Sequence, residues 1–129
     1  MNGKILLDTS VAVEVLRGNP AATERARQLS DAYLPLVGLG ELWYGVARAL
    51  KPSRAGEALR RLLEITPVLP MSTDTCRVYA RIRTHLAKRG QPLPENDIWI
   101  AATALEHELT LATADEHFER ITELRIQRW

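Results

Sequence analysis

Short apolar runs alternate with helical patterns along the whole chain. Residues 4–7 form the first run, and the polar turn after it is typical of the end of a buried strand. Four more segments have the length and composition of strands: 33–37, 68–71, 110–113 and 124–127. The last of them alternates apolar and polar residues, which predicts a strand half exposed at a sheet edge. Pro35 places its strand near an edge or at a strand end.

Between these strands, apolar residues recur with the spacing of helices that bury one face. Helices are predicted over 11–16, 20–29, 41–50, from a cap at Ser53 through Leu63, from a cap at Ser72 or Thr73 to Gly90, and over 95–108, with a turn or short helix at 115–119. Strands that alternate with helices favour a mostly parallel sheet covered on both faces. The predicted fold is therefore a three-layer α/β/α domain.

Bulk properties narrow the class of protein further. The chain of 129 residues fits a single domain, 1–129, without internal repeats or a linker. Its one cysteine excludes an internal disulfide and a thiolate metal site. No apolar run approaches the ~20 residues of a membrane span, and the N-terminus lacks a signal-peptide layout. We expect a cytoplasmic protein that does not enter membranes. The net charge of +1 gives no global sign of nucleic acid, although a local basic rim would suffice.

Four acidic residues stand at predicted element boundaries, each beside apolar sequence: Asp8, Glu41, Asp97 and Asp115. Each has a purely structural explanation, such as a helix cap, a favourable place at the positive end of a helix, or a turn. Four such placements together are better explained by a shared site, because ligands of α/β folds lie outside the carboxyl ends of the strands. Converging carboxylates repel one another unless a cation holds them together.

The simplest cation for an all-oxygen cluster is Mg²⁺ or Mn²⁺, which binds carboxylates together with substrate phosphate oxygens. Such a cation lowers the pKa of a water and offsets charge on phosphate oxygens, so we expect an enzyme that acts on phosphodiesters. Small polar residues beside the acids are candidates for supporting roles: Thr9, Ser10, Asn96 and Thr113. His117 lies two residues after Asp115 and is a candidate for contact with the substrate, but we do not include it in the predicted site.

Four segments, in order, resemble the motifs of the PIN-domain family: 5–11, 40–45, 93–104 and 111–118. The chain length most resembles the VapC-type toxins of bacterial type II toxin–antitoxin pairs. That resemblance implies a PIN fold and a Mg²⁺- or Mn²⁺-dependent endoribonuclease whose catalytic acids are Asp8, Glu41, Asp97 and Asp115. It also implies a homodimer and inhibition by a small VapB-type antitoxin.

One motif departs from the family pattern, because Gly38 and Gly40 stand where many relatives carry hydroxyl residues before Glu41. Several other functions stay open at this stage. The chain could be a PIN ribonuclease of RNA processing, or a module that binds RNA or protein without cleavage. A phosphatase of the haloacid-dehalogenase type is disfavoured, because the second aspartate expected two residues after Asp8 is Ser10. A receiver-like phosphoacceptor is disfavoured by the absence of a lysine after a late strand.

Overall fold

The computed structural model describes residues 4–29 and 31–129. This part of the chain forms a five-stranded sheet with the order β3-β2-β1-β4-β5, in which every pairing is parallel. The strands are β1 (Ile5–Leu7), β2 (Ala32–Pro35), β3 (Val68–Leu69), β4 (Thr110–Thr113) and β5 (Ile126–Arg128). The helices are α1 (Thr9–Leu16), α2 (Pro20–Gln28), α3 (Leu36–Ala47), α4 (Pro52–Ile65), α5 (Thr73–Lys88) and α6 (Glu95–Glu106), followed by a 3₁₀ helix, Glu116–Arg120.

The central strand β1 separates two hydrophobic cores. Leu6 faces a core built with α5 and α6, whereas Ile5 and Leu7 face a core built with α1, α3 and α4. Successive side chains of a strand point to opposite faces, so an uninterrupted apolar run is required in a sheet buried on both sides. The predicted three-layer α/β/α architecture with a parallel sheet is confirmed. No helix in the described residues is long and apolar enough to cross a membrane.

The start of α3 differs from the sequence prediction. This helix begins at Leu36 rather than at Glu41, and β2 ends at Pro35 rather than at residue 37. Pro35 has the extended backbone of an N-cap, with ψ of 147°, so the chain turns directly from strand to helix. Glu41 therefore lies inside α3 and not at its first residue. Two glycines before Glu41 weaken the local helix signal, and packing of α3 in the core overrides that weakness.

Other boundaries show which local signals were reliable. The cap of α5 at Ser72 is confirmed, with a reciprocal pair of hydrogen bonds between Ser72 and Thr75. The cap predicted at Ser53 is wrong, because α4 begins at Pro52 after Lys51. Proline suits the first helical position, where its missing N–H is not needed. The last strand lies at the sheet edge as predicted, but it covers Ile126–Arg128 rather than 124–127.

Candidate active site

The sheet order brings two of the acidic residues to neighbouring positions. Asp8 directly follows β1, and Asp115 lies two residues beyond β4. These strands are adjacent, with Leu7 opposite Ala112, and the Asp8 N–H donates to the Ala112 carbonyl at 3.0 Å. Both acids thus lie beyond the carboxyl ends of parallel strands, where α/β folds bind ligands.

Asp8 is a buried carboxylate, 4% exposed, fixed by three donors. One oxygen accepts the Thr9 N–H at 2.9 Å, so Asp8 is also the cap of α1. The other oxygen accepts the hydroxyls of Ser10 at 2.9 Å and Thr113 at 2.7 Å. Three donors occupy three of about four lone-pair sites on a carboxylate, which leaves room for one further ligand.

Thr113 connects Asp8 with Asp115. Its buried hydroxyl donates to Asp8 and accepts the N–H of Asp115 at 3.0 Å. A valine here would keep the shape of the side chain and lose both bonds. Thr113 therefore fixes the spacing between the two strand ends rather than serving only as a strand residue.

Glu41 is held by side chains from two other helices. Thr9 Oγ1 of α1 donates to one carboxylate oxygen at 2.6 Å, and Asn96 Nδ2 of α6 donates to the other at 3.3 Å. Gly38 lies beside the first contact: a Cβ there would lie 3.3 Å from Thr9 Oγ1 and 3.1 Å from Pro35 Cγ, so these side chains would have to shift slightly. A Cβ at Gly40 would meet nothing within 4 Å, so sterics explain the glycine at 38 but not the one at 40.

His117 lies between the remaining two acids. Its Nε2 is 2.8 Å from Asp97 Oδ2, and its Nδ1 is 2.9 Å from Asp115 Oδ1. One ligand atom from each of these three residues falls within 4.8 Å of the other two. The sequence pattern alone left His117 out of the predicted site. Its spacing from Asp115 was a signal, but only the approach of α6 to the 3₁₀ helix shows that the ring also reaches Asp97.

The four acids and their four predicted supporting residues belong to two hydrogen-bonded groups. The hydrogen bond from the Thr9 N–H to the Asp8 carboxylate joins the two groups. The structure brings together all eight residues predicted from the sequence: Asp8, Thr9, Ser10, Glu41, Asn96, Asp97, Thr113 and Asp115. His117 is an additional member of this cluster. Asn96 and Asp97 are consecutive residues at the start of α6, so this helix contributes a contact to Glu41 and a contact to His117.

The pKa values of two acids in the cluster are raised by burial and by the charges of neighbouring acids. Burial raises the pKa of Asp8, hydrogen bonds from Thr113, Ser10 and Thr9 oppose the rise, and the charge of Glu41 adds to it. Burial also raises the pKa of Asp97, while its bond to His117 opposes the rise. The charges of Asp8 and Asp115 raise the pKa of Asp97 further. The negative charges of neighbouring carboxylates thus raise the pKa of both Asp8 and Asp97.

This donor set fits a hard divalent cation. The cluster offers carboxylate oxygens from four residues, and oxygen ligands suit Mg²⁺ and Mn²⁺. Asp8 keeps a lone-pair site, and Asp97 and Asp115 already lie within the span of a single ion's ligands. The chemistry of the residues therefore supports a metal site here.

The raised pKa of Asp8 predicts a pH-dependent stability in the metal-free protein. The folded state binds this proton more tightly than the unfolded state, so the free energy of unfolding falls as pH rises from the ordinary carboxyl pKa through the folded pKa. Asp8→Asn removes this contribution. Urea unfolding in EDTA across that range should show wild type losing stability relative to the variant as pH rises. A difference that is constant with pH would contradict the raised pKa.

His117→Gln tests whether the ring holds Asp97 and Asp115 in place without a metal. The variant should melt at a lower temperature without metal, because Asp97 and Asp115 then lose their contacts with the two ring nitrogens. Added Mg²⁺ should then raise its melting temperature by more than it raises that of wild type. A smaller rise than in wild type would instead make His117 a metal ligand. His107→Gln is the matched control, since His107 pairs with Glu106, which lies outside the cluster.

The match to a family model identifies the class of protein that carries this fold and cluster. Residues 5–124 match the family model described as PIN domain, and the chain belongs to the PIN-domain family.

Named relatives narrow the resemblance within that family. Ribonuclease VapC5 of Mycobacterium tuberculosis is 36% identical over 121 residues, covering 88% of this chain and 84% of the relative. Ribonuclease VapC1 of Haemophilus influenzae is 30% identical and covers 96% of each chain. A chain of the VapBC2 complex of Rickettsia felis, solved with a DNA fragment from their promoter, matches with a TM-score of 0.92 at 25% identity, covering 97% of this chain and 98% of that one.

Proposed function

We propose that this protein is a Mg²⁺- or Mn²⁺-dependent endoribonuclease and the toxin component of a type II toxin–antitoxin pair. The observation that carries the proposal is the acidic network at the carboxyl ends of β1 and β4, in a chain similar to ribonucleases named VapC. The catalytic and metal-binding residues proposed are Asp8, Glu41, Asp97 and Asp115. Thr9, Ser10, Asn96 and Thr113 are proposed as supporting residues.

Hydrolysis adds water across a P–O bond of the RNA backbone, and negative charge grows on the phosphate oxygens in the transition state. The divalent cation, when held by the four acids, supplies an activated water and offsets that charge. The protein's own part is to fix the ligands in advance. Three donors set the orientation of Asp8, and two set that of Glu41. Ligands fixed in this way need little reorganisation at the moment of reaction.

His117 has a separate role in this scheme. Its two ring nitrogens keep Asp97 and Asp115 in position from the side of the 3₁₀ helix. This makes His117 a positioning residue.

The partners proposed follow from the same relatives. Several similar solved structures are VapBC complexes of toxin and antitoxin, including those of Rickettsia felis and Haemophilus influenzae. We propose a VapB-type antitoxin for this chain, RNA as its substrate and a homodimer as its assembly. We further propose that residues 1–129 act as one PIN domain in the cytoplasm.

The test is cleavage of total bacterial RNA by purified protein with Mg²⁺, Mn²⁺ or EDTA. Wild type should cut a discrete set of RNAs with either metal and none in EDTA, and Asp8→Asn should cut none. Asp74→Asn, an exposed aspartate on α5 paired with Arg77, should cut as wild type does. Equal cleavage by wild type and Asp8→Asn would contradict the proposal. RNA binding without cleavage, indifferent to metal, would favour the binding module instead.

The toxin role needs its own experiment, because a PIN ribonuclease of RNA processing would pass the first test. Induced expression of wild type in a bacterial host should stop growth, and expression of Asp8→Asn should not. Co-expression of a small protein encoded beside the gene should restore growth. Growth unaffected by an active enzyme would favour the RNA-processing role.

A further inference from the structure

An open cleft of about 720 Å³ adjoins the acidic cluster at Asp115 and His117. It extends from these two residues across the 3₁₀ helix towards the end of α5. The other residues that line it are Arg89, Gln91, Glu116, Glu119, Arg120 and Thr122. Its size lies within the range of small-ligand sites, so a nucleotide-sized group fits beside the site of cleavage.

Two arginines in this cleft are held in place by main-chain carbonyls. Arg89 Nη2 donates to the carbonyl of Arg120 at 2.8 Å, and Arg120 Nη1 donates to the carbonyl of Pro92 at 2.8 Å. Within residues 4–29 and 31–129, neither guanidinium has a carboxylate oxygen within 4.0 Å. Each arginine is thus positioned by a neutral group, and its positive charge stays uncompensated.

Two glutamates of the same cleft face an arginine outside it. Arg128 lies 3.1 Å from Glu119 and 3.9 Å from Glu116, and the His117 ring lies 2.9 Å from Asp115. Among the described residues that line the cleft, Arg89 and Arg120 are the two arginines, and no carboxylate oxygen comes within 4.0 Å of either guanidinium. An anion that enters this cleft meets two oriented guanidinium groups, and such groups match the geometry of a phosphate.

We propose that Arg89 and Arg120 bind a backbone phosphate of the RNA beside the bond that is cleaved. This assignment rests on the proposed ribonuclease function and states where the RNA leaves the acidic cluster. Asp115 and the two arginines line the same cleft, so an RNA strand with its scissile phosphate at the acidic cluster can run along the cleft past the arginines. Gln91 and Thr122 add uncharged polar groups along the same path, which suits sugar and base edges.

The experiment compares Arg89→Gln and Arg120→Gln with Arg125→Gln. Arg125 is a matched control, because its guanidinium also donates to a main-chain carbonyl, that of Glu108 at 3.0 Å, and it does not line the cleft. Binding of a randomised single-stranded RNA pool is measured in the Asp8→Asn background with Mg²⁺ at several salt concentrations. Cleavage of a responsive RNA at subsaturating concentration is measured in the wild-type background.

Each cleft variant should weaken RNA binding by about three- to tenfold and slow cleavage by a similar factor. The dependence of log affinity on log salt should become shallower by about 0.7 for each phosphate that the variant no longer neutralises. Arg125→Gln should change neither quantity beyond a small effect of net charge. Arg89→Lys and Arg120→Lys should recover part of the binding, because an ammonium still attracts phosphate but lacks the planar fork of donors. Their melting temperatures check the fold.

Cleft variants that bind and cut RNA as Arg125→Gln does would overturn the proposal. If wild type cuts no RNA, the ribonuclease function fails, while the binding arm still decides whether these arginines contact RNA. The proposal would also be overturned if Arg89→Gln and Arg120→Gln lost binding to a poly-glutamate peptide while their RNA binding stayed unchanged. That outcome would assign the cleft to an acidic protein segment.

Discussion

Asp97→Asn is expected to lower the rate of RNA cleavage by about a thousandfold, which corresponds to about 4 kcal/mol of barrier. Asparagine keeps the size of the side chain and can still bond to His117, but it removes the charge that faces Asp8 and Asp115. The loss therefore reports on cation binding rather than on shape. Initial rates on a responsive RNA, at one fixed Mg²⁺ concentration that saturates wild type, measure it.

Glu95→Gln is the matched control for this prediction. Glu95 lies in the first turn of α6, as Asp97 does, so both feel the positive end of the same helix. Its carboxylate is exposed and contacts Tyr79 and Arg83 rather than the cluster. The control should cut RNA at nearly the wild-type rate. Asp97→Asn with activity equal to that of Glu95→Gln would remove Asp97 from the proposed site.

Phe118→Ala is expected to destabilise the fold by about 3–5 kcal/mol, the usual cost of removing a phenyl ring from a packed core. Phe118 is 1% exposed and belongs to the core beneath α5 and α6. It also anchors the 3₁₀ helix that carries His117, so the variant should lose RNA cleavage at temperatures where most of it is still folded. Urea unfolding measures the stability, and RNA cleavage below the melting transition measures the local effect.

Ile65→Ala provides the comparison, because Ile65 is 79% exposed at the end of α4. Its free energy of unfolding should differ from that of wild type by about 0.5 kcal/mol or less. A Phe118→Ala protein as stable as Ile65→Ala would mean that the 3₁₀ helix does not pack as described. A destabilised variant that keeps full activity well below its melting transition would separate Phe118 from the site.

The strands nearest the site were predictable from local sequence. Residues 4–7 and 110–113 are short segments with apolar centres, each followed by a polar turn, and the structure places β1 at Ile5–Leu7 and β4 at Thr110–Thr113. Such a pattern predicts a buried strand, because a strand that is apolar on both faces lies in a sheet that is covered on both sides. The sequence also placed Asp8 and Asp115 at one edge. It did not show that their strands are neighbours, since strand order depends on packing across the whole sheet.

Features set by contacts between distant segments could not be predicted from the sequence. The early start of α3 depends on Pro35 as a cap and on packing that offsets two helical glycines. Gly38 appeared as a departure from the family, and only the structure shows that it lies beside the bond between Thr9 and Glu41. The contact between His117 and Asp97 could not be predicted either, because it depends on how α6 meets the 3₁₀ helix.

The central claim is that the four acids hold a divalent cation. Its most direct test is calorimetric titration of the metal-stripped wild type with Mg²⁺ and with Mn²⁺, beside Asp8→Asn and Asp74→Asn. We predict saturable binding to wild type and to Asp74→Asn, with a rise in melting temperature, and loss of both effects in Asp8→Asn. Absence of binding to wild type, or binding that is unchanged in Asp8→Asn, would contradict the claim.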